Sequence, residues 1–217
     1  MPGLFITFEG TEGAGKSTQI RLLAGRIQAA ARKVRLLREP GGTPIGEEIR
    51  HTLQHSAQNA AMTPEAELLL INASRAQLVR EIIRPALDAG EVVLCDRFYH
   101  SSLAYQGYGR QLDLARVREI IDFAVGDTRP QLTLMLHVPL AISEQRRKNR
   151  PTRDRFEESG RAFFERVERG FRALAEADPA RIKWIDATQP IPAVTEELWR
   201  HIQPLLESKD VNRGLRG

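Results

Sequence analysis

Apolar residues recur along the chain in two registers that take turns. Residues 4–8 (LFITF), 91–96 (EVVLCD) and 132–138 (LTLMLHV) are short and apolar at almost every position, as strands buried on both faces are. Residues 33–38 (KVRLLR) and 182–186 (IKWID) are two further short strand-like runs. Longer stretches with helical spacing lie between them. Residues 18–31 put Ile20, Leu22, Leu23 and Ile27 on one side of a helix. Residues 44–53 and 64–89 each open on a proline, which the first turn of a helix tolerates because it needs no N–H there. Gly90 would end the second. Residues 99–107 predict a short helix broken by Gly107 and Gly109. Residues 112–125, the segment after Pro139, 159–177 and 191–206 predict four more helices. Residues 208–217 are polar and read as a flexible tail.

Strands alternating with helices predict an α/β fold of three layers. A mostly parallel central sheet of about five strands would carry helices on both faces. The 217 residues contain no repeat, low-complexity segment or linker, so residues 1–207 read as one domain. Ligands of such sheets bind beyond the carboxyl ends of the strands, and the residues that carry chemistry fall there.

The first strand runs into Gly10-Thr11-Glu12-Gly13-Ala14-Gly15-Lys16-Ser17, a G-x-x-x-x-G-K-[ST] pattern, with Thr18 opening the helix behind it. Glycines let such a loop turn tightly, so that its N–H groups point inward as an anion nest. The helix adds its positive end. Lys16 would reach the β- and γ-phosphates of ATP, and the Ser17 hydroxyl would help hold Mg²⁺. Asp96 closes the third strand and could hold the same Mg²⁺ directly or through water. Arg38 ends the second strand and Arg97 follows the third, and two guanidinium forks near the P-loop suit a second phosphate group.

Composition narrows the reading. Hydrophobic residues are 41% and charged residues 28%, ordinary for a globular protein. The net charge of +4 raises nucleic-acid binding, but the basic residues sit among acidic ones, and only residues 146–155 are densely basic. The expectation is therefore no nucleic acid and no membrane. One cysteine, Cys95, lies in an apolar run and reads as buried. The five histidines have no metal-ligand spacing. No leader pattern or bilayer-length apolar run is present, which gives a cytoplasmic protein as the default. The N-K-x-D and D-x-x-G motifs of GTPases and the H-R-D and D-F-G motifs of protein kinases are missing. An acceptor that is itself a phosphate needs no general base, only positioning and charge neutralisation. Placed arginines without an evident histidine base fit that chemistry.

From residue 4 to residue 206 the chain resembles bacterial thymidylate kinases of the nucleoside monophosphate kinase family. The residues that carry the likeness are Phe8 to Thr18 (FEGTEGAGKST), Arg38 to Thr43 (REPGGT) and Ser74 to Leu78 (SRAQL). Asp96 to Phe98 (DRF), Ser101 to Arg110 (SSLAYQGYGR) and Asp186 to Pro190 (DATQP) continue it. The resemblance implies Mg²⁺-dependent transfer of the γ-phosphoryl of ATP to dTMP, giving dTDP for dTTP synthesis, and a homodimer built through helices. It implies that Glu12 accepts from the deoxyribose 3′-OH and that Arg38 and Arg97 grip the dTMP phosphate. Arg75 would face a thymine carbonyl, with Ser102, Gln106 and Phe98 at the base and Tyr105 crowding the place of a 2′-OH. Residues 143–157 match an arginine-rich lid. Arg150 matches the arginine that reaches the transferring phosphoryl, and Arg146 lies on the adenine side near Thr188 and Gln189. The P-loop carries no arginine, which agrees with that charge coming from the lid. Ile71 stands where the family usually has a phenylalanine that stacks on the base.

Two other readings fit parts of the chain. Another nucleoside monophosphate kinase would share the phosphate machinery and differ at Arg75, Ser102 and Gln106. A nucleic-acid-binding ATPase would share the P-loop, but leaves the monophosphate-gripping arginines unexplained.

Overall fold

The computed structural model describes residues 3–56, 59–148 and 159–207. The five expected strands form β1 (Leu4–Glu9), β2 (Val34–Arg38), β3 (Val92–Asp96), β4 (Leu132–His137) and β5 (Ile182–Asp186). They make one sheet in the order β2-β3-β1-β4-β5, and every neighbouring pair is parallel. β1 is buried along its whole length because helices cover both of its faces. Alternate residues feed two cores. Leu4, Ile6 and Phe8 face one core with Ile20, Leu23 and Ile27 of α1 (Lys16–Ala29) and Leu198 and Ile202 of α9 (Ile191–Glu207). Phe5, Val93, Cys95 and Met135 face the other. Its helices include α3 (Pro64–Leu78), α6 (Leu114–Val125) and α8 (Arg161–Ala177). The remaining helices are α2 (Pro44–Gln54), α4 (Arg84–Asp88), α5 (Tyr99–Ser102) and α7 (Leu140–Lys148).

The helical run expected over residues 64–89 differs in its middle. α3 passes through a wide π turn, Val79–Ile83, before α4 resumes it. Pro85, in the first turn of α4, has no N–H for the carbonyl four residues back, which favours a local change of pitch. A second π turn, Leu103–Gly109, follows α5 and is closed by the Arg110 N–H on the Tyr105 carbonyl at 2.8 Å. Gly107 and Gly109 therefore do not break the helix, contrary to the expectation above. They let neighbours approach: a Cβ would lie 2.5 Å from Leu114 Cδ2 at position 107 and 2.6 Å from Phe163 Cε2 at position 109.

The strand order reverses about β1, whose neighbours β3 and β4 lie on opposite sides. A crevice opens beyond the carboxyl ends at such a point. No helix among the described residues is long and apolar enough to cross a membrane. The predicted tail, 208–217, and most of the predicted lid lie outside the described residues.

Candidate active site

The loop after β1 is shaped by its glycines. Gly10, Gly13 and Gly15 have φ values of 127°, 79° and 89°, which side chains with a Cβ rarely adopt. Gly10 also rests on β4, where a Cβ would meet the Leu136 carbonyl oxygen at 2.1 Å. α1 starts directly behind the loop, and no side chain caps its first turn, so its positive end faces the crevice. Lys16 is buried and donates to the carbonyls of Gly10 and Thr11 at 3.0 and 3.1 Å. Burial, then the nearby Arg97 cation, lowers its ammonium to about 8. Ser17 donates to Asp96 Oδ2 at 2.9 Å. That pair supplies one carboxylate and one hydroxyl beside an anion nest. It suits a hard cation that keeps most of its waters and takes phosphate oxygens. Among the described residues no group of three or more His, Cys, Asp or Glu could bind a metal without such help.

Arg97 is held tightly. Its φ of 71° is left-handed, and its N–H donates to the Phe8 carbonyl at 2.9 Å. The guanidinium lies 2.6 Å from Glu12 Oε1 and donates to Ser101 Oγ at 3.1 Å. Tyr105 donates to Glu12 Oε2 at 2.8 Å. Burial alone would raise the Glu12 carboxyl, but Arg97 and Lys16 outweigh it and hold the group below the ordinary range. Behind them Glu9, fully buried, accepts from the N–H groups of Phe98 and Ser101 and from the Ser101 hydroxyl. Burial raises its carboxyl to about 7.

The far end of the crevice is organised by Arg75, 1% exposed. Four of its N–H groups bond to Glu39, Asn72, Ser102 and the Phe98 carbonyl at 2.7–3.2 Å, and its Nη2 lies 2.7 Å from the same Glu39 oxygen. Burial raises the Glu39 carboxyl, against the pull of Arg75. Gln106 donates to Glu67 at 2.7 Å. Ile71 lines this end. Phe98 also reaches it, but its ring is fully buried against Phe5, Tyr99 and Arg75, so it offers no free face for stacking.

One cleft of about 600 Å³ joins the two ends. Of the residues singled out in the sequence, it is lined by Glu12 to Thr18, Arg38, Ile71, Arg75, Asp96 to Phe98, Ser102, Tyr105, Gln106, Arg146 and Gln189. Gly10 and Thr11 form the back of the loop, as above. Thr188 turns away and donates twice to Asp186. Arg38 lies at the rim, paired with Glu47 at 2.9 Å. Arg146 donates to the Gly13 carbonyl at 2.8 Å, and Ser143 to the Glu12 carbonyl at 2.7 Å, which fastens α7 to the P-loop. Arg150 lies outside the described residues. Sequence reasoning gave no role to Glu9, Glu39, Arg50 or Glu67. Glu39 and Arg50 line the cleft, and Arg50 donates to the Pro40 carbonyl at 2.9 Å. The one available signal for Glu9 and Glu67 was a lone acid in or beside an apolar run.

Comparison with known proteins matches residues 8–198 to the family model described as thymidylate kinase. A thymidylate kinase of Pseudomonas fluorescens (strain Pf0-1) is 52% identical over 207 residues, covering 95% of this chain and 98% of its own. One from Deinococcus radiodurans is 48% identical over 197 residues, covering 91% and 95%. The crystal structure of thymidylate kinase from Ehrlichia chaffeensis superposes with a TM-score of 0.77 at 33% identity, covering 94% of this chain and 99% of that one.

Proposed function

The chain belongs to the thymidylate kinase family and phosphorylates dTMP with ATP as donor, and we propose that the P-loop end of its cleft takes ATP·Mg²⁺ while the Arg75 end takes dTMP. Lys16 and the loop N–H groups bind the β- and γ-phosphates. Ser17 and Asp96 would hold Mg²⁺, which would supply neutralising charge to the phosphates. Arg97, fixed by Glu12 and Ser101, binds the dTMP phosphate, with Arg38 closing from the rim. Glu12 meets the 3′-OH, and Tyr105, anchored on Glu12, occupies the space of a 2′-OH. Arg146 flanks the adenine near Gln189, and Arg150 brings a cation onto the transferring phosphoryl.

No general base takes part. The acceptor oxygen is already anionic, and no histidine among the described residues lines the cleft. Burial, then Arg181, pushes His100 down to about 3, and His137 is bonded to Glu168. The observation that carries this reading is the single cleft with Lys16 and the Ser17–Asp96 pair at one end, Arg97 between, and Arg75 at the other. The protein works in the cytoplasm as a homodimer, without nucleic acid or membrane.

The test is ADP release from ATP·Mg²⁺ with each nucleoside monophosphate in turn. Turnover should be highest with dTMP, well above ribonucleotides. A different preferred base would overturn the roles given to the Arg75 end. ADP release independent of acceptor would overturn the whole assignment.

A further inference from the structure

The base end of the cleft is polarised by a carboxylate that lines no part of it. Glu67 of α3 is fully buried. It accepts from Gln106 Nε2 at 2.7 Å, and from Arg110 Nε and Nη2 at 3.3 and 3.1 Å. Arg110 supplies the countercharge a buried carboxylate needs, and its guanidinium lies over the Phe163 ring at 4.5 Å. An ionised carboxylate only accepts hydrogen bonds. The amide of Gln106 therefore has one orientation, with its NH₂ on Glu67 and its carbonyl oxygen toward the cleft that Gln106 lines.

Ser102 is polarised in the opposite sense. Its oxygen accepts from Arg75 Nη1 at 3.0 Å, and Arg75 also donates to Glu39, Asn72 and Phe98. Arg75 and Ser102 both line the cleft, so the donors on this side are the guanidinium and the Ser102 hydroxyl. The wall thus offers an acceptor at Gln106 and donors at Arg75 and Ser102. A base with an N3–H donor and a C4 carbonyl acceptor complements that order. Cytosine, with an N3 acceptor and an amino donor at C4, presents the reverse.

We propose that Glu67, which touches no nucleotide, is a positioning residue that sets this donor–acceptor order and so makes the enzyme reject cytosine nucleotides. The inference rests on the reading that the base of dTMP binds at the Arg75 end.

The test compares kcat/KM of the full-chain enzyme for dTMP, dUMP and dCMP in the wild type, Glu67→Gln and Glu67→Asp. Glutamine is isosteric but both donates and accepts, so Gln106 can turn over. The dCMP-to-dTMP ratio should rise about tenfold or more in Glu67→Gln. dUMP presents the same edge as dTMP, so its ratio to dTMP should stay within roughly twofold. Glu67→Asp keeps an acceptor-only group and should keep cytosine rejection. An unchanged dCMP ratio, or dUMP and dCMP ratios rising together, overturns the proposal. Should Glu67→Gln not fold, Glu67→Met, which also frees the amide, decides by the same ratios. Loss of fold in both makes Glu67 a structural brace and overturns it too. A wild type that uses dCMP as well as dTMP would instead refute the underlying reading of the cleft.

Discussion

Glu9 holds up the floor under Arg97, and its environment gives it a measurable signature. Its carboxyl is raised from 4.5 to about 7, chiefly by burial and only partly offset by Ser101 and Arg97. Between those two values the folded chain keeps a proton that the unfolded chain has released. Unfolding then releases protons, so stability falls as pH rises through this window. The folded state is favoured most below about pH 4.5 as far as this group is concerned, and that advantage is gone above about pH 7. A shift of this size corresponds to roughly 3 kcal/mol across the window. Glu9→Gln keeps an acceptor for the Phe98 N–H but cannot ionise. The difference in unfolding free energy between wild type and variant should therefore tilt in the variant's favour from pH 5 to pH 8. Parallel urea-unfolding curves for the two proteins across that range would refute it.

Elements carried their meaning into the sequence unevenly. The strands and the P-loop were legible because a buried parallel strand and a glycine-turned anion nest each leave a local pattern. The two π turns were not, and Pro85 was a local cue for the first alone. The roles of Glu9, Glu39 and Glu67 were missed because their partners lie 36–92 residues away in the chain. α7 joins both kinds of information. Its arginines were visible as a dense run, whereas its fastening to the P-loop through Ser143 and Arg146 is a tertiary fact. In the proposed mechanism the transition-state cation is Arg150, which follows α7 in the chain, and its contribution would be to charge that develops only during transfer. Arg150→Ala should lower kcat by about a thousandfold or more with little change in dTMP affinity. Single-turnover kinetics alongside calorimetric dTMP binding would separate the two. Undiminished turnover would move the role to Arg146, Arg147 or Arg153.

At the scale of the molecule the question is what covers the outer surface of α3 and α6. The apolar segment 68–83 spends Leu68, Ile71, Leu78, Val79 and Ile83 on the chain's own core. Leu69 of α3 remains 55% exposed, and Phe123 of α6 is 85% exposed. The two helices pack on each other. Isolated exposed hydrophobics are common on monomers; the homodimer proposed above would give these two side chains a role. A stable dimer needs about 800 Å² from each partner, with aromatic anchors near the centre. On that reading Phe123 is an anchor, and a charge there would be buried unpaired against its partner. Wild type should sediment at micromolar concentration with twice the 24.4 kDa mass of the chain. Phe123→Asp should sediment as a single chain with its circular dichroism unchanged. Phe123 does not line the cleft, so a loss of turnover in the monomeric variant would point to the lost subunit contact. A wild type that sediments as one chain would remove the dimer, and a dimeric Phe123→Asp would move the interface to another face.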